Sequence, residues 1–417
     1  MGEAASVYPL SAVQTVALHA QGLAAPPRQT PMPMQEAIYN QVEQLGCVQI
    51  DTLQMVHRSQ YLALWSRLGS YAARDFDRLV YEPEERRLFE YWAHAASIIP
   101  LKAYRYYLPS MLWRKQAVDT WNLRQLSQGG NEGLVQAAYT RIQNEGALRA
   151  ADFEKPAGKG GTWWDWKPAK RALEHLYDTG ELMIAGRKNF QRVYDLRERV
   201  LPGWVDQSIP SQEEAQRYFV EQAALALGIC RPEQLATYFY MKQTPVKPIL
   251  QSFLAEGVLR SIRALLADGQ EYEMIIHQRN LPFLEQAVDG ALSPGRTTFL
   301  SPFDNLFWAQ GRDLQLWNFR KAIEAYTPAP KRVYGYFCLP ILHRQRLVGR
   351  FDPKLERKEK RLRLKALYLE PGIQPVEELV AGVASAMRDF LAFHQAHDLV
   401  IERSQPEEFG EKLLAAL

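Results

Sequence analysis

The most informative residues in this sequence are an amide and a carboxylate two positions apart. Gln49 and Asp51 lie within residues 47–53, which read CVQIDTL. If this segment is extended, side chains alternate, so Gln49 and Asp51 project together while Val48 and Ile50 face inward. A carboxylate can accept a proton from water while an amide orients the same molecule, which is chemistry for a hydrolysis. On these residues alone, a strand with its polar side outward or a helix-capping aspartate is the better explanation.

Length and composition predict a globular protein. The chain has 417 residues and 47.9 kDa, with 47% hydrophobic and 23% charged residues, enough for several globular units. This composition excludes disordered, collagenous and coiled-coil proteins. No apolar run reaches the roughly 18 to 20 residues of a membrane span, and the N-terminus lacks a basic region before its apolar part. We therefore expect a cytoplasmic protein that does not contact membranes.

The three cysteines, Cys47, Cys230 and Cys338, are isolated and lack metal-ligand spacing. They indicate small core residues rather than disulfides or a zinc site. We also expect no other metal and no organic cofactor.

Charge is unevenly distributed although the net charge is only +3. Residues 331–365 contain twelve Lys or Arg against three acids, whereas residues 370–417 contain nine acids against three bases. This separation predicts a positive flank suited to an anionic polymer. A solvated helix or hairpin face explains it equally well.

Two stretches share a helical segment that ends at glycine and is followed by two strand-like runs. In the first, the helix ends at Gly180, and strands at 182–184 and 193–196 flank a turn that contains residues 186–189. In the second, the helix ends at Gly257, and the strands cover 258–262 and 272–276. Additional helices are predicted upstream, over 134–144, 150–153, 213–227 and 232–240. This order is typical of a winged helix, although two α+β units that merely share a common motif remain an alternative.

The two ends of the chain give weaker patterns. Helices over 11–21, 34–45 and 59–68, with a strand pair in 87–99, indicate a third, less regular copy. After residue 292, strand-like runs spaced by turn residues predict a small antiparallel sheet or barrel, and a helix over 376–397 closes the chain.

Several blocks of the sequence resemble the YcaQ family of DNA glycosylases, also called AlkX, which unhook interstrand crosslinks. The similarity extends in the same order from about residue 10 to about residue 396, and the blocks that carry it read QIDTLQMVHRSQYLALWSRLGSY, EYWAHAASIIP, GTWWDWKPAKRALEHL, RKNFQRVYDL, LSPFDNLFW and YTPAPKRVYGYFCLPILH. The resemblance implies a Gln-x-Asp catalytic motif, which this chain carries at Gln49 and Asp51. The sister AlkZ branch has glutamine at both positions, so Asp51 is typical of the YcaQ branch.

The resemblance also implies an α+β fold of three tandem winged-helix units, a small C-terminal β-barrel and a terminal helix. We expect the winged helices at 1–125, with the Gln-x-Asp motif, at 126–205 and at 206–291, followed by the barrel at 292–417. The expected function is a monofunctional DNA glycosylase that acts as a monomer on double-stranded DNA containing N7-alkylated or crosslinked guanine. Asp51 would act as general base and oxocarbenium stabiliser, and Gln49 would position water.

The remaining candidates have weaker support. Tyr91, Trp92 and His94 are candidates for a pocket, although core packing explains them equally well. Trp163, Trp164 and Trp166 indicate core packing. Each phosphate-contact candidate could equally be a solvated surface charge; these candidates are Arg58, Lys167, Lys170, Arg171, Arg187, Lys188, Arg192, Lys331, Arg332, Arg344, Arg346 and Arg350.

Two other functions compete with this interpretation. Winged helices mostly bind without catalysis, so a non-catalytic DNA-binding regulator is the first alternative. A glycosidase that acts on RNA or small nucleosides is the second.

Overall fold

The computed structural model describes residues 7–25, 32–117, 120–128, 133–153 and 167–417, with only the backbone of Lys167. Its residues cluster into two compact units. Unit 1 comprises residues 1–75, 92–97 and 219–417, and unit 2 comprises residues 76–91 and 98–218. Trp163, Trp164 and Trp166, for which core packing was expected, lie outside the described residues.

The described chain contains both α-helices and β-strands, several of which are short. The α-helices are α1 (Leu10–Ala20), α2 (Met34–Leu45), α3 (Ser59–Leu68), α4 (Ala73–Tyr81), α5 (Tyr104–Gln116), α6 (Trp121–Ser127), α7 (Leu134–Glu145), α8 (Lys167–Asp178), α9 (Arg197–Val200), α10 (Gln212–Leu227), α11 (Gln234–Tyr238), α12 (Gln243–Ala255), α13 (Leu281–Val288), α14 (Arg312–Trp317), α15 (Glu377–Phe393) and α16 (Glu407–Ala415). The strands are β1 (Val7–Tyr8), β2 (Val48–Gln49), β3 (Leu88–Trp92), β4 (Ala96–Pro100), β5 (Leu148–Arg149), β6 (Leu182–Lys188), β7 (Gln191–Leu196), β8 (Ile229–Cys230), β9 (Leu259–Leu265), β10 (Glu271–His277), β11 (Thr297–Phe299), β12 (Leu339–His343), β13 (Arg346–Glu356), β14 (Arg361–Leu369), β15 (Asp398–Ile401) and β16 (Ser404–Gln405).

Three segments repeat one element order: a helix, a two-residue strand, one or two short helices and a hairpin. They begin at α2, α7 and α10 and end at β4, β7 and β10. In each, the two-residue strand pairs with the second strand of the hairpin, which gives the sheets β2-β4-β3 and β5-β7-β6 and places β8 beside β10. Short strand β1 extends the last sheet by pairing in parallel with β9. The predicted helices and hairpins are present at these positions.

A glycine follows the helix that precedes each of the hairpins β6–β7 and β9–β10. Gly180 and Gly257 both have φ of +75°, a left-handed conformation that glycine adopts without steric cost. At Gly180 a Cβ would lie 2.6 Å from Sδ of Met111, so a side chain there would also clash with α5. The helix stops expected from the sequence are confirmed.

The turn of the β6–β7 hairpin lies farther along the chain than predicted. Residues 186–188 belong to β6, and the two-residue turn is formed by Asn189 and Phe190, with φ of 51° and 65°. Two consecutive positive φ values match the right-handed twist of the flanking strands in a two-residue hairpin. The register shifts between Ile184 and Gly186, where a β-bulge leaves Ala185 without a partner in the paired strand.

The C-terminal sheet of unit 1 has an open hydrogen-bonding order. Its path runs β11-β12-β13-β14-β15, with β16 also paired to β14, and the described strands do not close it into the expected barrel. The first four strands are antiparallel, whereas β15 and β16 run parallel to β14. Helix α15 covers one face, where Met387 and Phe390 pack with Phe351, Leu364 and Leu367 in a buried core.

A second core in unit 1 joins the N-terminal helix to the third hairpin. Val13 and Val16 of α1 pack with Met274 and Ile276 of β10 and with Leu284 of α13. The three cysteines are buried, as expected of core residues. None of the helices in the described ranges combines the length and apolar character that crossing a membrane requires.

Candidate functional site

The Gln-x-Asp motif begins in a two-residue strand of unit 1. Val48 and Gln49 form β2, and the N–H of Ile50 donates a 2.8 Å hydrogen bond to the carbonyl of Ala96 in β4. Val48 and Ile50 are buried, as the alternation predicts, and Gln49 is half-buried. Asp51 follows the strand and is only 8% exposed. The carboxylate is therefore more deeply placed than a purely outward-facing strand residue would be.

The Asp51 carboxylate is oriented by the chain that follows it. The N–H of Leu53 donates to its Oδ2 at 2.8 Å. Burial raises the pKa of Asp51 above the ordinary aspartate value, while backbone hydrogen bonds from Leu53 and Thr52 and the charge of Arg58 act in the opposite direction. A carboxylate with a raised pKa is a stronger base than a solvated one.

Buried hydrogen bonds hold the strand from its inner side. Nδ2 of Asn305 donates to the carbonyl of Cys47 at 2.8 Å and to the Tyr238 hydroxyl oxygen at 3.0 Å. That hydroxyl donates to the carbonyl of Leu45 at 2.8 Å. Because these groups are shielded from water, the bonds fix the backbone that carries Gln49.

His94 is stacked between two aromatic rings. Its ring centroid lies 4.0 Å from that of Tyr240 and 4.2 Å from that of Trp308, with interplanar angles of 24° and 9°. Nδ1 lies 2.9 Å from the Tyr238 carbonyl oxygen, which can only accept, so Nδ1 carries the hydrogen. Burial lowers the pKa of His94 to about 4, so the ring is neutral near pH 7.

The other two pocket candidates are placed differently. Strand β3 ends at Trp92, which is half-buried, so Trp92 and His94 do not share a strand face. Tyr91 belongs to the core of unit 2, where its hydroxyl donates to the Asp178 carbonyl and accepts from Arg114. Its ring packs edge-on against Tyr107 and Tyr177. Of the two roles left open for Tyr91 by the sequence, its contacts support core packing.

Arg58 is the cation placed beside the motif. It precedes helix α3, its Nη1 donates to the carbonyl of Thr52 at 2.9 Å, and its charge acts on Asp51. The preceding His57 accepts from the Arg58 N–H through Nδ1. Burial and the charges of His394, Arg357 and Arg58 lower the pKa of His57 to about 3.

Two cations of the β6–β7 hairpin in unit 2 lie beside a buried carboxylate. Nε and Nη2 of Arg187 donate to the two oxygens of Glu90 at 2.6 and 2.7 Å. Arg192 lies 3.8 Å from the same carboxylate and over the ring of Tyr177. The Glu90 side chain is fully buried. Since Arg187 and Arg192 neutralise Glu90, their expected role as phosphate contacts is corrected to a structural one.

Two other candidate cations of unit 2 lie at the surface. Lys188 and Lys170 are exposed, although Lys170 lies 3.8 Å from Glu174. Arg171 is half-buried, with its guanidinium 5.5 Å from the ring centroid of Trp121. Lys167 begins α8, and its side chain is outside the described part of the chain.

Some of the candidate cations in the C-terminal part of the chain are exposed, whereas others are buried or hydrogen-bonded within the fold. Lys331 and Arg346 are exposed, whereas Arg332 is half-buried and donates to backbone carbonyls of Glu324 and Thr327. Arg350 is only 2% exposed and lies between the rings of Phe319 and Tyr334. It also pairs with Glu370. The expected phosphate contact at Arg350 is therefore corrected to a structural role, because its guanidinium is buried and paired with Glu370.

The acidic C-terminal segment neutralises much of the basic one. The pairs that join the two segments within unit 1 are Arg344 with Glu378, Arg350 with Glu370, Arg361 with Asp398 and Arg363 with Glu402. These ion pairs cancel part of the local charge of +9 that residues 331–365 carry in the sequence. The predicted positive flank is therefore weaker than the sequence indicates.

Sequence reasoning missed part of this arrangement. Asn305 and Trp308 lie in the block LSPFDNLFW, which carried the resemblance but was given no role, and Tyr240 ends a predicted helix. Lys321 was also missed; burial lowers its pKa, and its charge acts on His94. Across the described ranges, no group of three or more His, Cys, Asp or Glu side chains could hold a metal ion.

Comparison with known proteins gives one family. The family model described as DNA glycosylase AlkZ-like matches residues 42–393, which include Gln49 and Asp51. The fold is similar to that of the solved Streptomyces sahachiroi DNA glycosylase AlkZ, with a TM-score of 0.63 and 14% sequence identity over 95% of this chain and 100% of that chain. The family resemblance found in the sequence blocks is confirmed. The chain belongs to the AlkZ-like family of DNA glycosylases.

Proposed function

We propose that this protein is a monofunctional DNA glycosylase that hydrolyses the N-glycosidic bond of N7-alkylguanine and unhooks interstrand crosslinks. The observation that carries the proposal is the buried Asp51 carboxylate, which the Leu53 N–H orients and which lies two residues after Gln49, the last residue of strand β2. This pair lies within the segment matched by the glycosylase family.

The chemistry of the substrate explains why so few groups are needed. Alkylation at N7 places a positive charge on guanine, so the base departs as a neutral leaving group without protonation by a general acid. The remaining tasks are to stabilise an oxocarbenium-like sugar and to deliver water to C1′.

Asp51 serves both remaining tasks. Its negative charge opposes the cation that develops on the sugar, and its oxygens accept the proton of the attacking water. The raised pKa of Asp51 supports the second task, because it strengthens the carboxylate as a base. The amide of Gln49 orients the water or the substrate, since it offers both a donor and an acceptor.

The three repeated segments would form the DNA-binding scaffold. We propose that each is a winged helix, with boundaries at 1–125, 126–205 and 206–291, and that the protein acts as a monomer on double-stranded DNA. A crosslinked base is tied to the opposite strand, so it cannot be fully extruded into a deep pocket. The remaining phosphate-contact candidates are Arg58, Lys167, Lys170, Arg171, Lys188, Lys331, Arg332, Arg344 and Arg346.

The decisive experiment is base release from defined duplexes. One duplex carries a single N7-methylguanine, a second carries a nitrogen-mustard crosslink between guanines, and a third is undamaged. We expect the wild-type protein to release methylguanine, leave an abasic site, and convert the crosslink into separable strands. Sequence-specific binding without base release would instead support a regulator. Release from methylated RNA or nucleosides, with intact duplexes untouched, would support the other alternative.

A further inference from the structure

An exposed tyrosine forms the outer layer of the three-ring stack around His94. Tyr240 is 67% exposed, and its inner face lies on the ring of His94. The opposite face of His94 lies on Trp308, which is buried and donates through Nε1 to the Phe303 carbonyl at 3.0 Å. Tyr240 is therefore a solvent-facing ring supported from below by groups anchored in the core of unit 1.

The backbone at Tyr240 is held in an unfavourable conformation. Its φ is +53°, in the left-handed region that favours glycine, directly after helix α11. The N–H groups of Tyr240 and Met241 donate to the carbonyls of Thr237 and Ala236, which close the helix end. Glycine would suit this position better, so the large exposed ring is not explained by the requirements of the helix end. Strain of this kind is concentrated at functional sites.

The ring stack is connected to the strand that carries the Gln-x-Asp motif. His94 lies at the tip of the β3–β4 hairpin, and two residues later Ala96 accepts the hydrogen bond from Ile50. The backbone of His94 also contacts the Cys47 thiol. On the other side of the stack, Tyr238 bonds to the His94 ring through its carbonyl and to Leu45 through its hydroxyl. Hydrogen bonds thus connect the three-ring stack to the residues on both sides of β2.

The chain that follows Tyr240 carries exposed positive charge, because the next two cations in the sequence, Lys242 and Lys247, are both exposed. Exposed aromatic rings with neighbouring cations are the means by which proteins hold unpaired or partly unstacked nucleotides, since each nucleotide offers the π face of its base and an anionic phosphate.

We propose that Tyr240 is a base-stacking platform that holds a nucleobase of the DNA beside the nucleotide being excised. This inference rests on the proposed glycosylase function and adds a binding subsite to it. Base–aromatic stacking of this kind changes affinity by about 5- to 150-fold.

The test uses the full chain with Tyr240→Ala, Tyr240→Phe and Tyr240→Leu. Duplexes carry N7-methylguanine with the fluorescent base 2-aminopurine on either side, because stacking on an aromatic ring quenches its emission. We expect wild type and Tyr240→Phe to quench the probe and bind alike. Tyr240→Ala and Tyr240→Leu should lose the quenching and raise KM about tenfold, with kcat within about twofold and an unchanged melting temperature.

The platform and the proposed function fail in different ways. Equal quenching and equal KM in Tyr240→Ala and wild type, with base release intact, would overturn the platform alone. Quenching that depends on Tyr240 in a wild-type protein that releases no base would overturn the proposed function and leave the stacking site. A lowered melting temperature in Tyr240→Ala and Tyr240→Phe alike, without a difference in quenching between them, would assign the ring a structural role and overturn the platform.

Discussion

The N–H of Leu53 donates a 2.8 Å hydrogen bond to Oδ2 of Asp51, so the residue two positions after the carboxylate fixes its direction. An aspartate that bonds to the backbone two residues on forms a local turn, which holds the side chain without distant partners. Burial meanwhile raises the pKa of this carboxyl. The motif therefore holds an oriented carboxylate. Its ionisation costs the folded state free energy, and its raised pKa makes it a stronger base for the proposed reaction.

Activity should fall in acid at a higher pH than an ordinary aspartate would dictate. Asp51 must be ionised to accept a proton, and its pKa lies above 3.8, so kcat declines as pH falls through this raised value. The measurement is kcat for release of N7-methylguanine between pH 4 and pH 8, a range that lies wholly above the ordinary aspartate value of 3.8. His57→Gln is the control, because the pKa of His57 is about 3. An acid limb that disappears in His57→Gln would assign the titration to the histidine instead.

Gln49→Ala should impair turnover more than DNA binding. The amide orients the water or the substrate, whereas phosphate contacts supply most of the affinity, so we expect kcat to fall about 10- to 100-fold and the Kd to change less than about threefold. Single-turnover base release and fluorescence anisotropy on the same duplex give the two values. Equal losses in both would contradict the division of roles between Gln49 and the surface cations.

Arg187→Ala and Lys188→Ala should behave differently although the residues are adjacent. Removal of Arg187 leaves the buried Glu90 charge without its bidentate partner, which should destabilise unit 2 by about 3–5 kcal/mol. Lys188 is exposed, so its removal should leave stability unchanged and reduce the salt dependence of DNA binding by about one ion. Urea unfolding and salt titrations separate the two effects. Similar unfolding curves for both variants would contradict the structural role of Arg187.

Borohydride should trap no covalent complex between the protein and DNA. In the proposed mechanism water attacks C1′, so no Schiff base forms for borohydride to reduce. Lys321 provides the sharpest test, because burial lowers its pKa and so favours the nucleophilic amine over the ammonium form. A trapped complex in wild type that is lost in Lys321→Met would replace hydrolysis with lysine attack. A known lyase-active glycosylase serves as the positive control.

Local structure was largely predictable from the sequence, whereas charge pairing was not. Helices Met34–Leu45 and Ser59–Leu68 match their predicted bounds because their apolar residues recur at helical period. By contrast, Arg187 and Glu90 are 97 residues apart, and only the fold shows that the cation is committed to a buried carboxylate. The Tyr240–His94–Trp308 stack likewise joins three separate segments. Periodicity reports which residues are buried together but not which distant residues become neighbours.

The most direct test of the account is the comparison of Asp51→Asn with wild type on a duplex containing one N7-methylguanine. Asparagine keeps the oxygen that accepts from Leu53 but cannot take a proton, so base release should fall about 10²- to 10⁴-fold while DNA affinity remains within about threefold. Because ionisation of the buried Asp51 costs the folded state free energy at pH values above its raised pKa, the uncharged variant should melt at pH 7 no lower than wild type. Base release by Asp51→Asn at the wild-type rate would contradict the assignment of Asp51 as the catalytic carboxylate.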